Sequence, residues 1–246
     1  MSVDYRDAAG PQDMRLYAIG DVHGRLDLLA RMHDLIAAEI ERDRPADWRV
    51  IHLGDYVDRG ADSAGVLDHL ARRAADDARV LAVAGNHDLG FLDFLAEPQG
   101  DGLFAHHGGV DTARSYGVAI DFADPAAMRQ GWIALNAAVP AHHLDFLATL
   151  PFSLAFGDFF FCHAGIRPGM PLAEQSPEDL VWIRQAFHRW TELHPKVIVH
   201  GHTPTAEPGV FANRVNVDTA AWQTGRLTAL VIDGTVKRFL EASLED

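Results

Sequence analysis

The sequence has one cysteine and no long apolar run, and each shortage excludes a class of protein. Cys162 is the only cysteine among 246 residues, so no disulfide can form within the chain. No stretch approaches the roughly 18 to 20 apolar residues that a bilayer-spanning helix needs. Residues 1–14 carry three aspartates where a signal peptide would carry an apolar segment. We therefore expect a soluble, cytoplasmic protein that has no membrane partner.

Basic residues are also in short supply. Lys and Arg number 21 against 35 Asp and Glu, which gives a formal charge of −14 at pH 7. A surface of this sign repels nucleic acid and anionic membranes, so we expect no nucleic-acid partner. Neither a glycine-rich nucleotide loop nor a nucleophile elbow is present. A phosphate-bearing substrate would therefore need positive charge that is supplied locally.

The first half of the chain alternates short apolar strands with amphipathic helical stretches. The spacing of apolar residues predicts strands at 14–19, 50–53 and 80–84, and helices at 26–40, 63–75 and around 89–95. Repeated β-α-β units favour a largely parallel sheet that is covered by helices and has right-handed crossovers. The carboxyl ends of such strands, and the loops after them, lie along one edge of the sheet.

The second half reads differently and predicts a second sheet. Residues 97–109 have the composition of a loop, and 125–150 predicts two helices broken near Pro140. A hairpin at 153–156 and 159–162 and a helix at 177–191 precede strands at 197–199, near 210, at 215–217, 227–232 and 236–240. We expect an α/β fold with a two-sheet β-sandwich core flanked by helices, a mixed second sheet and a mostly helical insert at about 97–150. We count residues 1–246 as one domain.

Polar motifs follow the predicted strands at the points where those strands end. They read GDVHG (20–24), GDYVDRG (54–60), GNHD (85–88), HAG (163–165) and HGHTP (200–204). Asp21 and His23 are two apart, so an extended segment places both on one face. Five such loops at one sheet edge would gather carboxylate, imidazole and amide donors. That mixture suits borderline or hard divalent ions and is unlike a thiolate zinc site.

This ordered set of motifs resembles the calcineurin-like metallophosphoesterase superfamily. Within it, the chain is similar to the phosphoprotein phosphatase branch, which includes bacterial and phage serine/threonine phosphatases. The resemblance covers about residues 16–219 and implies the αββα metallophosphoesterase fold. It also implies two metal sites that share one carboxylate. The implied ligands are Asp21, His23 and Asp55 for one ion, and Asp55, Asn86, His163 and His202 for the other.

The charges of the implied centre fit a phosphate substrate. Two divalent ions and the carboxylates of Asp21 and Asp55 leave a net charge of about +2, which reverses the sign of the protein as a whole. Two ions about 3.5–4 Å apart can lower the pKa of a shared water and direct hydroxide at phosphorus, so no phosphoenzyme is needed. Mn²⁺ is the expected ion, and Fe and Zn²⁺ also suit these ligands.

The resemblance further implies a general acid and phosphate-binding residues. His87 is the implied acid, held and kept protonated by Asp58, since a neighbouring carboxylate raises the pKa of an imidazole. Arg59 and Asn86 are expected to bind phosphate oxygens, Arg59 through its planar fork. A second phosphate-binding arginine is either Arg184, which we favour, or Arg167.

The favoured function is a metal-dependent phosphomonoesterase acting on phosphoserine and phosphothreonine, with phosphotyrosine as a further substrate class left open. The alternative is a diadenosine tetraphosphate hydrolase, whose family shares GDVHG and GNHD but usually carries alanine where this chain has Asp58. The Asp of GNHD departs from the GNHE usual in eukaryotic protein phosphatases. Pro204 stands where phosphodiesterase relatives carry a second histidine. A catalytically silent metal-binding scaffold is a third hypothesis, although every implied ligand is present.

Other signals favour structural roles. The pairs His106-His107 and His142-His143 bracket the insert, and we interpret them as packing or surface residues because adjacent side chains point in different directions. Cys162 is interpreted as a buried structural thiol. His200 has no ligand role in the motif pattern. The sequence leaves the oligomeric state open.

Overall fold

The computed structural model describes residues 2–244, and its first sheet has five strands. In spatial order they are β10 (Val236–Ser243), β9 (Arg226–Asp233), β1 (Met14–Ile19), β2 (Asp47–His52) and β3 (Val80–Ala82). β1, β2 and β3 run parallel as predicted, whereas β9 is antiparallel to both of its neighbours. The parallel arrangement predicted for the strands of the first half is therefore confirmed, and β9 and β10 from the second half of the chain complete the same sheet. Residues 227–232 are all buried, which suits β9 to a central position with both faces covered.

The second sheet is mixed, as predicted. Its order is β4 (Ser153–Phe156), β5 (Phe159–Cys162), β6 (Val197–His200), β8 (Arg214–Asn216) and β7 (Gly209–Val210). β5, β6 and β8 are parallel, and the hairpins β4–β5 and β7–β8 add an antiparallel strand at each edge. The carboxyl ends of the parallel strands in each sheet therefore lie at one edge of that sheet, where the loops that follow them come close together.

The two sheets share an apolar core. Leu16 and Ala18 of β1 pack in one cluster with Phe161 of β5 and Val199 of β6. Tyr17 alternates with them on β1 and belongs instead to the cluster formed with the helices. The layers are therefore helix, sheet, sheet, helix, and the predicted fold class is confirmed.

Three helices cover the first sheet: α1 (Leu26–Asp43), α2 (Ser63–Asp76) and α3 (Asn86–Ala96). All three match predicted helices within a few residues at their ends. The later short helices are α8 (Pro177–Trp182), α9 (Gln185–His188) and α10 (Ala221–Thr224). The single helix expected at 177–191 is therefore wrong, because Ile183 leaves helical geometry with ψ 140° and Arg184 lies at φ −131°, ψ −94°.

The insert is helical, with α4 (Leu103–His106), α5 (Gly109–Ser115), α6 (Pro125–Ala138) and α7 (Ala141–Ala148). The predicted break near Pro140 is present. The loop expected at 97–109 is wrong in part, because it contains α4. Phe104 of α4 stacks on Phe91 and Phe94 of α3 at ring distances of 5.2 and 4.7 Å, and this tertiary packing overrides the glycine-rich local composition. Within residues 2–244 no helix is long and apolar enough to cross a bilayer.

Candidate metal centre

The loops after β1, β2, β3, β5 and β6 meet at one edge of the sandwich. They bring together six buried side chains: Asp21, His23, Asp55, Asn86, His163 and His202. Two groups have donor atoms within 4.8 Å of one another, namely His23 with Asp55 and His87, and Asp55 with His163 and His202. Asp55 belongs to both groups, so a single carboxylate lies at their junction.

Asn86 and Asp21 complete the cluster in different ways. Asn86 Oδ1 lies 2.9 Å from both His163 Nε2 and His202 Nδ1, so the amide oxygen faces the second group directly. Asp21 lies outside both groups of close donors. Its carboxylate accepts the backbone N–H of His202 at 3.1 and 3.2 Å, which ties the first loop to the last.

The donor chemistry of this cluster fits divalent cations. Nδ1 of His23 lies 2.8 Å from the carbonyl oxygen of Val57, and Nδ1 of His163 lies 2.8 Å from that of Leu53. In the neutral form of each ring, Nδ1–H donates to its carbonyl and Nε2 carries a lone pair. These lone pairs face Asp55 oxygens at 3.5 and 3.3 Å. Acceptors this close repel one another unless a cation or a proton lies between them.

The titration properties of the cluster point the same way. Burial alone would lower the pKa of His163, but Asp55 and Asp21 outweigh it and raise the pKa to about 10. Burial and the neighbouring Asp218 raise the pKa of Asp21. A proton on His163 would supply the positive charge that the carboxylates demand. Divalent ions would satisfy the same demand, so the residues present fit a metal centre.

The site loops hold strained backbone. Among residues 2–244, eight non-glycine residues have positive φ, and five of them are residues that the motifs predict for the site. They are His23 (45°), Asp55 (55°), Asp58 (71°), Arg59 (69°) and His202 (65°). Each such conformation costs about 1–3 kcal/mol and persists only where the surroundings enforce it.

Glycines allow the loops to approach one another closely. A Cβ on Gly85 would lie 2.2 Å from the Asp55 backbone nitrogen, and a Cβ on Gly201 would lie 2.0 Å from Asp21 Oδ1. Side chains at these two positions would therefore separate the loops that carry the candidate ligands.

His87 and Asp58 form a buried pair beside the cluster. His87 Nδ1 lies 2.7 Å from Asp58 Oδ2, and Asp58 is fully buried. Burial alone would lower the pKa of His87, but Asp55 and Asp58 outweigh it and raise the pKa. His87 Nε2 accepts a hydrogen bond from Arg59 Nη2 at 3.0 Å, while Nη1 of the same guanidinium donates to His23 Nε2 at 2.9 Å.

The two candidate arginines lie in different surroundings. Nε of Arg184 donates to His202 Nε2 at 3.0 Å, because the interruption between α8 and α9 brings this residue to the cluster. Arg167 instead binds Asp179 through two hydrogen bonds of 2.8 and 2.7 Å, and half of its side chain is exposed. The structure thus brings Arg184 into the site and leaves Arg167 in a surface ion pair.

Sequence reasoning missed several residues that support the site. Thr112 of the insert donates to Asp58 Oδ1 at 2.7 Å, and its Oγ1 accepts the Asp58 N–H at 2.8 Å. Asp88 accepts three backbone N–H groups, from Asp55, Tyr56 and Gly85, each at 2.9 Å. The Asp of GNHD therefore fastens the second and third loops together.

One further signal was available in the sequence, and the exposure of two tryptophans was not. Asp218 is buried beside Asp21 and follows β8, so it repeats the pattern of a carboxylate just after a strand. Trp182 and Trp222 are exposed by 44% and 39% and lie near the cluster. The Trp182 ring is 6.1 Å from that of His202, and the Arg59 guanidinium is 5.4 Å from the Trp222 ring.

The remaining histidines and the cysteine lie outside the two groups of donors. His200 is buried with its ring 5.1 Å from that of Phe187. The Cys162 thiol is buried and donates to the carbonyl of Gly165 at 3.4 Å. His106 is exposed, and the exposed ring of His107 lies 6.2 Å from that of His87.

Comparison with protein families identifies the class of protein. The model of the calcineurin-like phosphoesterases matches residues 14–231, and the chain belongs to this family. Its members hydrolyse phosphoester bonds with divalent metals, in agreement with the metal centre that the donor set predicts. The superfamily inferred from the motifs is thereby confirmed.

The names of individual relatives refer to different activities. A bis(5'-nucleosyl)-tetraphosphatase of the asymmetrical type from Bacillus thuringiensis is 25% identical over 240 residues, which cover 88% of this chain and 90% of that protein. The structure of a candidate diadenosine tetraphosphatase superimposes with a TM-score of 0.65 at 19% identity, covering 96% of this chain and 99% of the other. A protein serine/threonine phosphatase from Saccharomyces cerevisiae superimposes with a TM-score of 0.55 at 13% identity, covering 98% and 86%. The two structural likenesses show the fold alone.

Proposed function

We propose that this chain is a metal-dependent hydrolase of dinucleoside polyphosphates that cleaves a dinucleoside tetraphosphate asymmetrically, into a nucleoside triphosphate and a nucleoside monophosphate. The observation that carries the proposal is the pair of exposed tryptophans, because one lies beside the second group of candidate ligands and the other lies beside Arg59, which contacts His23 of the first group. Trp182 neighbours His202, and Trp222 neighbours Arg59. A substrate with a base at each end has two flat apolar groups to stack, and each stacked base contributes about 1–3 kcal/mol. The names of the full-length relatives support the same substrate.

A groove beside the metal centre provides room for one end of such a substrate. It has a volume of about 470 Å³, which lies in the range of small-molecule sites, and runs from Asn86 along α3 and α4. Trp182 and Phe104 are among the residues that line it. A nucleoside in this groove would lie against aromatic surface while its phosphates reach the candidate ligands.

Each part of the site has a proposed role. Asp21, His23 and Asp55 would hold one ion, and Asp55, Asn86, His163 and His202 the other. When bound, divalent ions at these positions polarise the phosphate and make water a stronger nucleophile. Arg59 and Arg184 would leave the histidine nitrogens that they contact here and bind phosphate oxygens, for which a guanidinium has two parallel N–H donors. Asn86 would add an amide N–H to the phosphate.

His87 would hold the proton that the leaving oxygen takes up. Its Nδ1–H lies against Asp58, which fixes the ring. Once Arg59 turns to the substrate, Nε2 takes up a proton from solvent, which the raised pKa of His87 favours, and can then donate it. Asp58 also balances the charge of the imidazolium that donates this proton. No side chain needs to form a covalent intermediate.

A second candidate function is hydrolysis of phosphoserine or phosphothreonine, and the His87–Asp58 pair is the observation that favours it. A phosphate leaving group from a dinucleotide is a weak base and needs little help from an acid. A serine or threonine alkoxide is a strong base and needs a proton as the bond breaks. A buried acid pair at 2.7 Å is therefore of more use to a phosphomonoesterase.

One experiment separates the two functions. The protein is stripped of metal with a chelator, reloaded with Mn²⁺, and given diadenosine tetraphosphate or a phosphoserine peptide at equal concentration. We expect ATP and AMP from the first substrate, with kcat/KM at least 100-fold above that for the peptide. The opposite ratio would establish the phosphomonoesterase, and no hydrolysis of either substrate or of an aryl phosphate would favour the silent scaffold.

The tryptophans give a sharper test of the substrate. Trp182→Ala should raise KM for diadenosine tetraphosphate about 10-fold, in line with the loss of one stacked base, and leave hydrolysis of p-nitrophenyl phosphate unchanged. Phe211→Ala serves as the control, because Phe211 is an equally exposed aromatic that precedes β8, at the end of the strand away from the metal centre. Equal losses on both substrates would contradict base stacking by Trp182.

A further inference from the structure

A second cluster of possible metal ligands lies where the insert packs against α2. Asp68 is on α2, and the adjacent residues His142 and His143 are on α7. One donor atom from each of the three lies within 4.8 Å of the other two. His142 Nε2 is 3.2 Å from Asp68 Oδ1, and His143 Nε2 is 3.8 Å from the same oxygen. None of these residues belongs to the motifs of the phosphoesterase centre.

The geometry overcomes the ordinary objection to adjacent histidines. Consecutive side chains on a helix diverge by about 100° around its axis, so such a pair seldom shares a ligand. Here both residues are in the first turn of α7, directly after Pro140, and their rings meet edge to face with centroids 4.4 Å apart. Both Nε2 atoms therefore reach one carboxylate.

His143 has a buried nitrogen without a partner. The residue is only 2% exposed, and no hydrogen bond reaches its Nε2. Its Nδ1 lies 2.8 Å from the Tyr116 hydroxyl. When Nδ1–H donates to that hydroxyl, Nε2 keeps a lone pair that faces Asp68 across 3.8 Å, a distance too long for a hydrogen bond. A buried polar atom left in this way calls for an explanation.

We propose that Asp68, His142 and His143 bind a borderline divalent cation such as Zn²⁺ at a third metal site, separate from the phosphoesterase centre. A tetrahedral ion with bonds of about 2.0–2.1 Å holds its ligand atoms about 3.3–3.4 Å apart. The observed separations of 3.2 and 3.8 Å lie on either side of this value, and the donor nitrogens of the two histidines lie within 4.8 Å of each other, so side-chain rotations would bring the three donors to one ion. Three protein ligands leave one position for water.

The surroundings of the cluster are compatible with a bound ion. Tyr116 would orient His143 through the Nδ1 hydrogen bond, the arrangement that metal-binding histidines usually have. Arg72 lies 3.1 Å from Asp68 Oδ1, but its side chain is 71% exposed and can turn into solvent. His142 and Arg72 also line an open groove between α2 and α7, which gives an ion a path of entry.

Such an ion would fasten the insert to the core near the catalytic loops. α2 begins at Ser63, whose hydroxyl accepts the backbone N–H of Asp58 at 3.0 Å. A cross-link from α7 to α2 would therefore stabilise the packing of the insert on the helix that follows the GDYVDRG loop. The expected effect is on stability rather than on chemistry at phosphorus.

The test counts ions in the full-length protein. Chelator-stripped protein is dialysed against Zn²⁺ and analysed by elemental mass spectrometry, beside His142→Ala and Asp68→Asn, both changes at residues at least partly exposed. His106→Ala is the matched control, since it removes an exposed insert histidine outside the cluster. We expect one equivalent of Zn²⁺ fewer in both cluster variants than in the wild type and the control. Equal zinc content in all four proteins would overturn the proposal.

Two further measurements locate the ion. In Asp55→Asn, which lacks the shared carboxylate of the phosphoesterase centre, Zn²⁺ should still raise Tm, and adding His142→Ala should abolish that rise. Co²⁺ in the Asp55→Asn protein should give the intense visible absorption of a tetrahedral site, and it should vanish in the double variant. A rise in Tm and a spectrum that survive His142→Ala would place the ion elsewhere and refute the assignment.

Discussion

Thr112→Val should loosen the His87–Asp58 pair without replacing any motif residue. The hydroxyl of Thr112 donates to Asp58 Oδ1 at 2.7 Å in a fully buried setting. Valine has the same shape, so the substitution creates no cavity. The Asp58 N–H also keeps a partner, because Ser63 Oγ lies 3.0 Å away. Valine also removes the contacts that the Thr112 hydroxyl makes with the Asp58 N–H and with Ser63 Oγ, but these two groups still bond to each other. The main cost is therefore the buried hydrogen bond to the carboxylate, about 1.5–3 kcal/mol of unfolding free energy.

Two assays check this value and its consequence. Urea unfolding of the metal-loaded protein should show a loss of about 2 kcal/mol, equivalent to a fall in Tm of about 4–8 °C for a chain of this size. Because Asp58 then holds His87 less firmly, kcat should fall about 10-fold for an alkyl phosphate and much less for p-nitrophenyl phosphate, whose leaving group needs little proton donation. Thr112→Ser should retain most of both properties.

Thr149→Val provides the baseline, since that hydroxyl donates to the carbonyls of Asp145 at 2.7 Å and Phe146 at 3.1 Å, both in an exposed setting. Its effect should stay within about 0.5 kcal/mol. If Thr112→Val destabilises no more than Thr149→Val, or lowers kcat equally for both leaving groups, then Thr112 does not act through Asp58 and His87.

Three further outcomes follow from the structure. Burial lowers the pKa of His52 to about 4, below the 6.5 of the unfolded chain. The folded state therefore resists protonation, and the unfolding free energy should fall by up to about 3 kcal/mol between pH 6.5 and pH 4. Urea titrations of His52→Gln should show a flatter pH dependence than the wild type, and parallel curves would contradict this. Arg184→Ala should raise KM for phosphate substrates at least 10-fold in steady-state assays, whereas Arg167→Ala should stay within twofold; equal effects would remove the distinction drawn from their contacts. Gly85→Ala places a Cβ 2.2 Å from the Asp55 nitrogen, so elemental analysis should find less than one bound Mn²⁺ per chain, and two retained ions would show that the loops can separate without cost.

The strands and the ligand loops could be predicted because their signals are local. β1 was predicted with the bounds that the structure shows, since a short apolar run ends at Gly20 and no competing helical period is present. The same holds for the loop residues, which follow their strands directly. Parallel strands then bring sequence-distant loops to one edge, so the approach of Asp21, Asn86 and His202 required only the topology.

The supports of the site could not be predicted, because they depend on contacts far apart in sequence. Thr112 meets Asp58 across 54 positions, from α5 of the insert, which is predicted to be mostly helical but without this helix as an individual element. Arg184 is the arginine that the sequence favours, but its contact with His202 depends on the break between α8 and α9, which the sequence does not predict. β9 pairs with β1 in antiparallel orientation, and the apolar pattern of a strand does not specify which neighbouring strand it will pair with.

The strained loops explain why those distant supports matter. Positive φ values lie at Asp55 and Asp58 themselves, and not only at the glycines around them, so the loop conformations are unfavourable by about 1–3 kcal/mol each unless other contacts hold them. The backbone N–H of Asp55 donates to the Asp88 carboxylate, and the backbone N–H of Asp58 donates to the Thr112 hydroxyl. Both partners lie on helices that follow this loop in the sequence, Asp88 on α3 and Thr112 on α5. Metal binding adds to the same balance, because ions that bind only the native arrangement stabilise it by mass action. Removing the ions should therefore increase the local unfolding of the loop around Asp55 first. Hydrogen exchange should show faster exchange of the backbone amides of this loop before any amide of the β-sandwich loses protection.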